Sequence, residues 1–341
     1  MSNQSVTTKI FQFIESKFFS EKKNMLDEVG ELLHLQKSTV YKKMKGESTL
    51  SLDEAEILCR HFRISLDEVL GIADDKIYFD FPSLYGSVAN EKEFLDPIRG
   101  DLEKLYRLDP IIYYATKELP LFYYFISPKL IAFKFNVFYN FVWKKKEDKL
   151  VPFDYSLFEN NSEFISNVNK VLELYSSMNS IEIWNTAVLD NTFNQLKYFL
   201  ESGLMVDPKE SLLLCDELEK LIHILEQLIH SKDKSALRKK SINTGKFELY
   251  NNEIAHTNNV IFVKSKTRDA VYCTYDNPNF MRSISPVLCE YTEKWFDKLI
   301  LNSVSISNGN MKEQSQFINK LKEKLQRARL AIQSSLQHMV D

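Results

Sequence analysis

Gly30 is the residue that most narrows what this chain can fold into. It lies in the stretch from Asp27 to Leu70, where EVGELLHLQKSTVYKKMKG (28–46) is followed by STLSLDEAEILCRHFRISLDEVL (48–70). Two helices joined by a tight turn approach closely only if the crossing residue of the first is small, and Gly30 supplies it. Val29 and Leu33 give the first helix an inner face. Leu35 follows the turn, and Val40 comes five residues later on the inner side of the second helix. That spacing predicts a helix-turn-helix.

The second helix of the pair offers the chemistry. It carries Lys37, Lys42, Lys43 and Lys45 with Ser38, Thr39 and Tyr41, and no acidic residue appears between Gln36 and Gly46. Such a face suits a phosphate backbone. Further on, Ser51 with Glu54 and Ser65 with Glu68 both fit the capping box, in which two side chains satisfy free amides at a helix start. Ile10, Phe11, Ile14 and Phe18 lie at helical spacing and predict a first helix packed behind the pair.

On these residues, 24–70 resembles the helix-turn-helix domain of the XRE group, the Cro/cI phage-repressor-like regulators, and the match runs without a gap from His34 to Gly46. Two positions depart from that pattern. His34 stands where a turn glycine is usual, although His tolerates positive φ better than most residues. Lys43 stands where many members have an apolar residue, which leaves the inward role to Met44. The resemblance implies a recognition helix opened by Gln36, stopped by Gly46 and laid in the major groove of double-stranded DNA. Lys37, Ser38 and Lys42 would face base edges, Gln36, Thr39, Lys43 and Lys45 would set register on phosphates, and Tyr41 belongs to the same DNA-facing set. Regulators of this kind bind as homodimers on paired half-sites about one helical turn apart.

The whole chain has 341 residues, and such a domain needs about 60 to 70, so further domains are expected. Its formal net charge is −3, so any attraction to nucleic acid has to be local to the recognition helix. Hydrophobic residues at 44% and aromatics at 13%, with few Gly and Pro, describe a folded, helix-leaning protein. Cys59, Cys215, Cys273 and Cys289 form no C-x-x-C pair and read as buried thiols of a reducing cytoplasm. No signal peptide is read at the N-terminus.

Residues 73–92 break periodicity and read as a linker. From Glu93 to Trp143 the chain is rich in Phe and Tyr, but Lys117, Glu118, Lys129 and Lys134 interrupt it too often for a membrane span. Pro128 suits the first turn of a helix on which Phe133, Val137 and Phe141 recur, and this is favoured over a strand from Phe133 to Trp143. Its aromatics are read as core before they are read as the lining of an effector pocket. Helices are expected at Ser162–Met178, Ile181–Ser202 and Pro208–Ser231, the second capped by Gly203 and the third opened by Asp207 and Pro208. Leu214, Leu218, Leu221, Leu225 and Leu228 make a seam that another helix must cover, in this chain or in a second copy. The basic run 232–240 reads as an exposed connection.

The texture then changes, and 246–250, 260–264 and 270–275 read as an antiparallel meander. Two helices follow, near Ser285–Leu299 and Lys312–Val340. The last carries Ile318, Leu321, Leu325, Ala328, Ile332 and Met339 as a stripe to pack on that sheet or on its own copy. The six histidines form no ligand pair, and no phosphate-binding glycine loop or G-x-S-x-G is present. No catalytic residue, metal or cofactor is expected.

The fold expected is therefore mainly α. A helix-turn-helix bundle (1–72) and linker (73–92) precede a helical region (93–240), and an α+β effector or oligomerisation region with a small antiparallel sheet follows (241–341). The function expected is a cytoplasmic, non-enzymatic, sequence-specific transcriptional regulator. Its partners would be double-stranded DNA, a second copy and a small-molecule or protein effector, with no membrane. The rivals are an enzyme placed on DNA and a protein-binding module on the same fold.

Overall fold

The computed structural model describes residues 5–19, 22–71, 76–81, 88–145, 147–238, 243–254 and 259–339. Much of the expected linker and the last two residues of the basic run, 239 and 240, lie outside that set. The chain divides into two compact units, Met1–Tyr78 and Phe79–Asp341.

In the first unit α1 (Val6–Phe18), α2 (Lys22–Leu33), α3 (Lys37–Met44), α4 (Leu52–Phe62) and α5 (Leu66–Leu70) enclose Ile10, Phe11, Ile14, Met25, Val29, Val40, Leu58 and Phe62. Ser51 and Glu54 form a complete capping box on α4. The Ser65 half of the second expected box is missing, because its side chain makes no cap hydrogen bond. Glu68 instead lies 3.9 Å from Lys17 of α1 and ties α5 to that helix.

The second unit starts with α6 (Glu91–Tyr106) and β1 (Ile111–Ala115). The chain then runs through α7 (Leu121–Tyr124), α8 (Pro128–Phe138) with a π-helical turn at Tyr139–Trp143, α9 (Ser156–Glu159) and α10 (Ser162–Ser176) to β2 (Asn179–Trp184). From there α11 (Asp190–Glu201) and α12 (Glu210–Ser231) lead to β3 (Phe247–Asn251). After it come β4 (Val260–Lys264), β5 (Ala270–Asp276), β6 (Asn279–Ser283), α13 (Pro286–Leu301), β7 (Val304–Ser305) and α14 (Met311–His338).

All seven strands form one mixed sheet in the order β6-β5-β4-β1-β2-β3-β7. β1 pairs with β2 and β2 with β3 in parallel, and the other four pairings are antiparallel. The expectation of a mainly α chain with a small antiparallel sheet is overturned by this arrangement. Strands do form at 247–251, 260–264 and 270–276, but β3 pairs with β2 instead of continuing a meander into β4. The centre of the sheet comes from residues expected to be helical.

Both central strands escaped notice for a physical reason. β1 is buried from two sides: Ile112 and Tyr114 join the main core, and Ala115 joins the core under α13. A continuous apolar run of this kind carries no alternation. β2 does alternate, but its main-core face holds Ser180 and Glu182 beside Trp184, and both polar residues are buried. The helix expected from Ile181 starts at Asp190.

The main core lies between one sheet face and helices that include α8, α10, α12 and α14, and α13 covers the other face with Cys289, Phe296 and Leu299. α8 buries every residue from Leu130 to Phe138, so its aromatics are core. The α12 seam is fully buried, and α14 packs along α12 and α11 with Ile318, Leu321, Leu325 and Ile332 inward. That cover comes from the chain itself rather than from a second copy or from the sheet alone. Lys324 pairs with Asp190 at 2.7 Å, Lys322 with Glu226 at 2.9 Å, and Arg329 with Asp216 at 2.5 Å along the same contact. Among the described residues no helix is long and apolar enough to cross a membrane.

Candidate nucleic-acid interface

The crossing of α2 and α3 is as close as Gly30 permits. A Cβ added there would lie 3.0 Å from the Leu35 carbonyl oxygen, and the Leu35 amide donates to the Gly30 carbonyl at 2.8 Å. His34 takes the left-handed conformation at φ 53°, which closes the turn in place of a glycine. Gln36 is extended at the start of α3, Val40 and Met44 turn inward, and Gly46 ends the segment at φ 80°.

The eight residues assigned to DNA separate into three groups. Gln36, Ser38, Tyr41 and Lys42 are exposed, with Lys45 beside Tyr41 at 5.7 Å from its ring centroid. Among the described residues Gln36, Ser38 and Lys42 have no side-chain partner. Lys37 is also exposed but is paired with Asp27 of α2. Lys43 turns inward, where it donates to the Thr49 carbonyl at 2.6 Å and to Glu54 Oε2 at 3.0 Å, and Thr39 is half-buried. Spacing of four places Ser38 with Lys42, and Lys37 with Tyr41 and Lys45, in two adjacent rows of one helix face.

Lys43 thus belongs to the scaffold. Burial alone would raise the Glu54 carboxyl, but the Ser51 amide and the Lys43 ammonium hold it below its ordinary value. One carboxylate therefore completes the α4 cap and anchors the end of α3. Sequence reasoning missed both acids that answer the lysines, because Asp27 and Glu54 lie outside the acid-free run.

The second unit holds a different polar group. Glu182 Oε1 accepts from Tyr123 at 3.0 Å, Tyr175 at 2.5 Å and Ser180 at 2.7 Å, and Oε2 accepts from Trp184 Nε1 at 3.1 Å. Lys234 Nζ lies 3.6 Å from the centroid of the Tyr175 ring and donates to the Tyr175 carbonyl. Burial pushes its amine down to about 7, against the pull of Glu182. Lys134 of α8 is comparably enclosed between Tyr124 and Phe138, donates to Gln195 at 2.7 Å, and is pushed down by burial to about 8. Every member of the Glu182 group is buried, so the group binds β2 to α7 and α10 rather than presenting chemistry to solvent. Among the described residues no set of three or more His, Cys, Asp or Glu side chains is placed to hold a metal ion.

No protein-family model, curated protein or solved structure matches this chain.

Proposed function

We propose that the first unit binds double-stranded DNA through α3 and that the protein is a sequence-specific transcriptional regulator. The observation that carries the reading is the exposed row of Ser38 and Lys42, with Gln36 exposed at the helix start and Tyr41 and Lys45 in the adjacent row, on a short helix that crosses α2 closely at Gly30. Hydrogen-bonding side chains on a rigid helix suit base edges, and lysines beside them suit phosphates. Ser38 and Lys42 are the base-reading pair in this proposal, with Gln36 and Lys45 on phosphates. Lys43 is withdrawn from the set because its ammonium is already bound. The second unit would serve the first by answering an effector or by pairing two copies on adjacent half-sites.

Selection of bound duplexes from a random pool by the full-length protein tests this directly. A recurrent motif is expected, with affinity falling steeply as salt rises. Lys42→Ala should relax the motif, whereas Lys45→Ala should weaken all duplexes alike. No enriched motif, or binding indifferent to salt, would sink the reading.

A further inference from the structure

The acid-free run of α3 receives an acid from its neighbour. Asp27, on α2, pairs with Lys37, the first residue of α3, and both side chains reach solvent, Lys37 at 62% exposed and Asp27 at 37%. Lys37 is the longer and more exposed of the two, so it is the partner that turns outward to meet a phosphate. α3 begins without a side-chain cap from Gln36, so its first turn also gains from a negative charge nearby. A free cation at a helix start is what a DNA phosphate would otherwise use.

We propose that Asp27 stands where a phosphate would, holds Lys37, and acts as a built-in brake on non-specific DNA binding. This rests on the DNA-binding reading and adds how that surface limits its own affinity. With Lys43 bound to Glu54 and Lys37 bound to Asp27, two of the four lysines of the segment are neutralised from inside the unit. The remaining attraction falls on Lys42 and Lys45, so discrimination depends on contacts to bases more than on charge.

The test uses the full-length protein and a random-sequence duplex in a titration of salt. Asp27→Asn and Asp27→Ser should each tighten binding by about fivefold near 0.1 M salt and steepen the salt slope by about 0.9, the value for one added phosphate contact. Lys37→Ala alone should change little, and it should abolish the gain in the double variant with Asp27→Asn. Acetylation read by mass spectrometry should modify Lys37 more slowly than Lys42 in the native protein and equally fast after Asp27→Asn. If the native protein binds in a salt-dependent way but the Asp27 variants bind no tighter, the brake is overturned and the DNA reading stands. A gain that survives Lys37→Ala overturns it too, since removal of a negative charge would then be the whole effect. Absence of any salt-dependent DNA affinity removes the reading and the brake together.

Discussion

At the scale of single residues, similar side chains in this protein have opposite duties. Lys43 and Lys45 are two positions apart, yet one is bound to Glu54 and Thr49 and the other lies on the surface beside Tyr41. Lys43→Ala is expected to cost the first unit about 1 to 2 kcal/mol of stability, because it strips a charge-assisted bond from a half-buried carboxylate. Lys45→Ala should leave stability unchanged and weaken DNA binding, and denaturation followed by circular dichroism separates the two. Gly30→Val would force a side chain against the Leu35 carbonyl and should destabilise the unit by about 1 to 3 kcal/mol. Both buried lysines of the second unit have folded-state values below that of a free lysine, near 7 and 8. The unfolded chain therefore binds more protons than the folded one above those values, and stability should rise with pH. A gain on the order of 1 kcal/mol between pH 7 and 8 is expected in urea unfolding. Lys234→Met should flatten it. Above about pH 8.5, where free thiols ionise, the buried thiols of Cys215 and Cys289, each raised to about 11 by burial, act in the opposite sense.

At the scale of elements, β2 is held by one buried carboxylate as well as by the apolar contacts of Ile183 and Trp184. Four donors from β2 itself, α7 and α10 converge on Glu182. Glu182→Gln leaves too few acceptors for them and should cost about 2 to 4 kcal/mol. Tyr123→Phe, which removes one donor, should cost about 1 kcal/mol. The environment of Trp184 makes its fluorescence a direct readout of both. The same strand shows where reading from sequence stops. The α2–α3 pair was legible because a small residue, a turn and an inward Val40 are local signals that fall in order. The helix from Pro128 was legible from its first-turn proline and apolar spacing, and helices form where they were expected near Ser162 and Ser285. β2 was not legible, because Ser180 and Glu182 are polar residues made inward-facing by partners that arrive from residues 123 and 175. The pairing of Lys37 with Asp27 was hidden in the same way, by a contact between helices.

At the scale of the whole molecule, the two units have separate cores, and the first contains none of the three tryptophans. A fragment of residues 1–78 is expected to fold alone, with a helical circular-dichroism spectrum and a cooperative melt. If the units are independent, its salt-dependent DNA affinity should match that of the full chain for a single half-site. A fragment without cooperative melting would show that the second unit supports the first. The strand order has a further consequence for how the protein is made. β1 is flanked by β2 and β4, so the middle of the sheet stays open until residues 260–264 have been synthesised. The first unit is complete long before then, by roughly 10 to 40 seconds at ordinary rates of synthesis. A chain released early would carry a finished first unit attached to an unclosed apolar sheet, so premature termination is a circumstance that exposes this protein to aggregation.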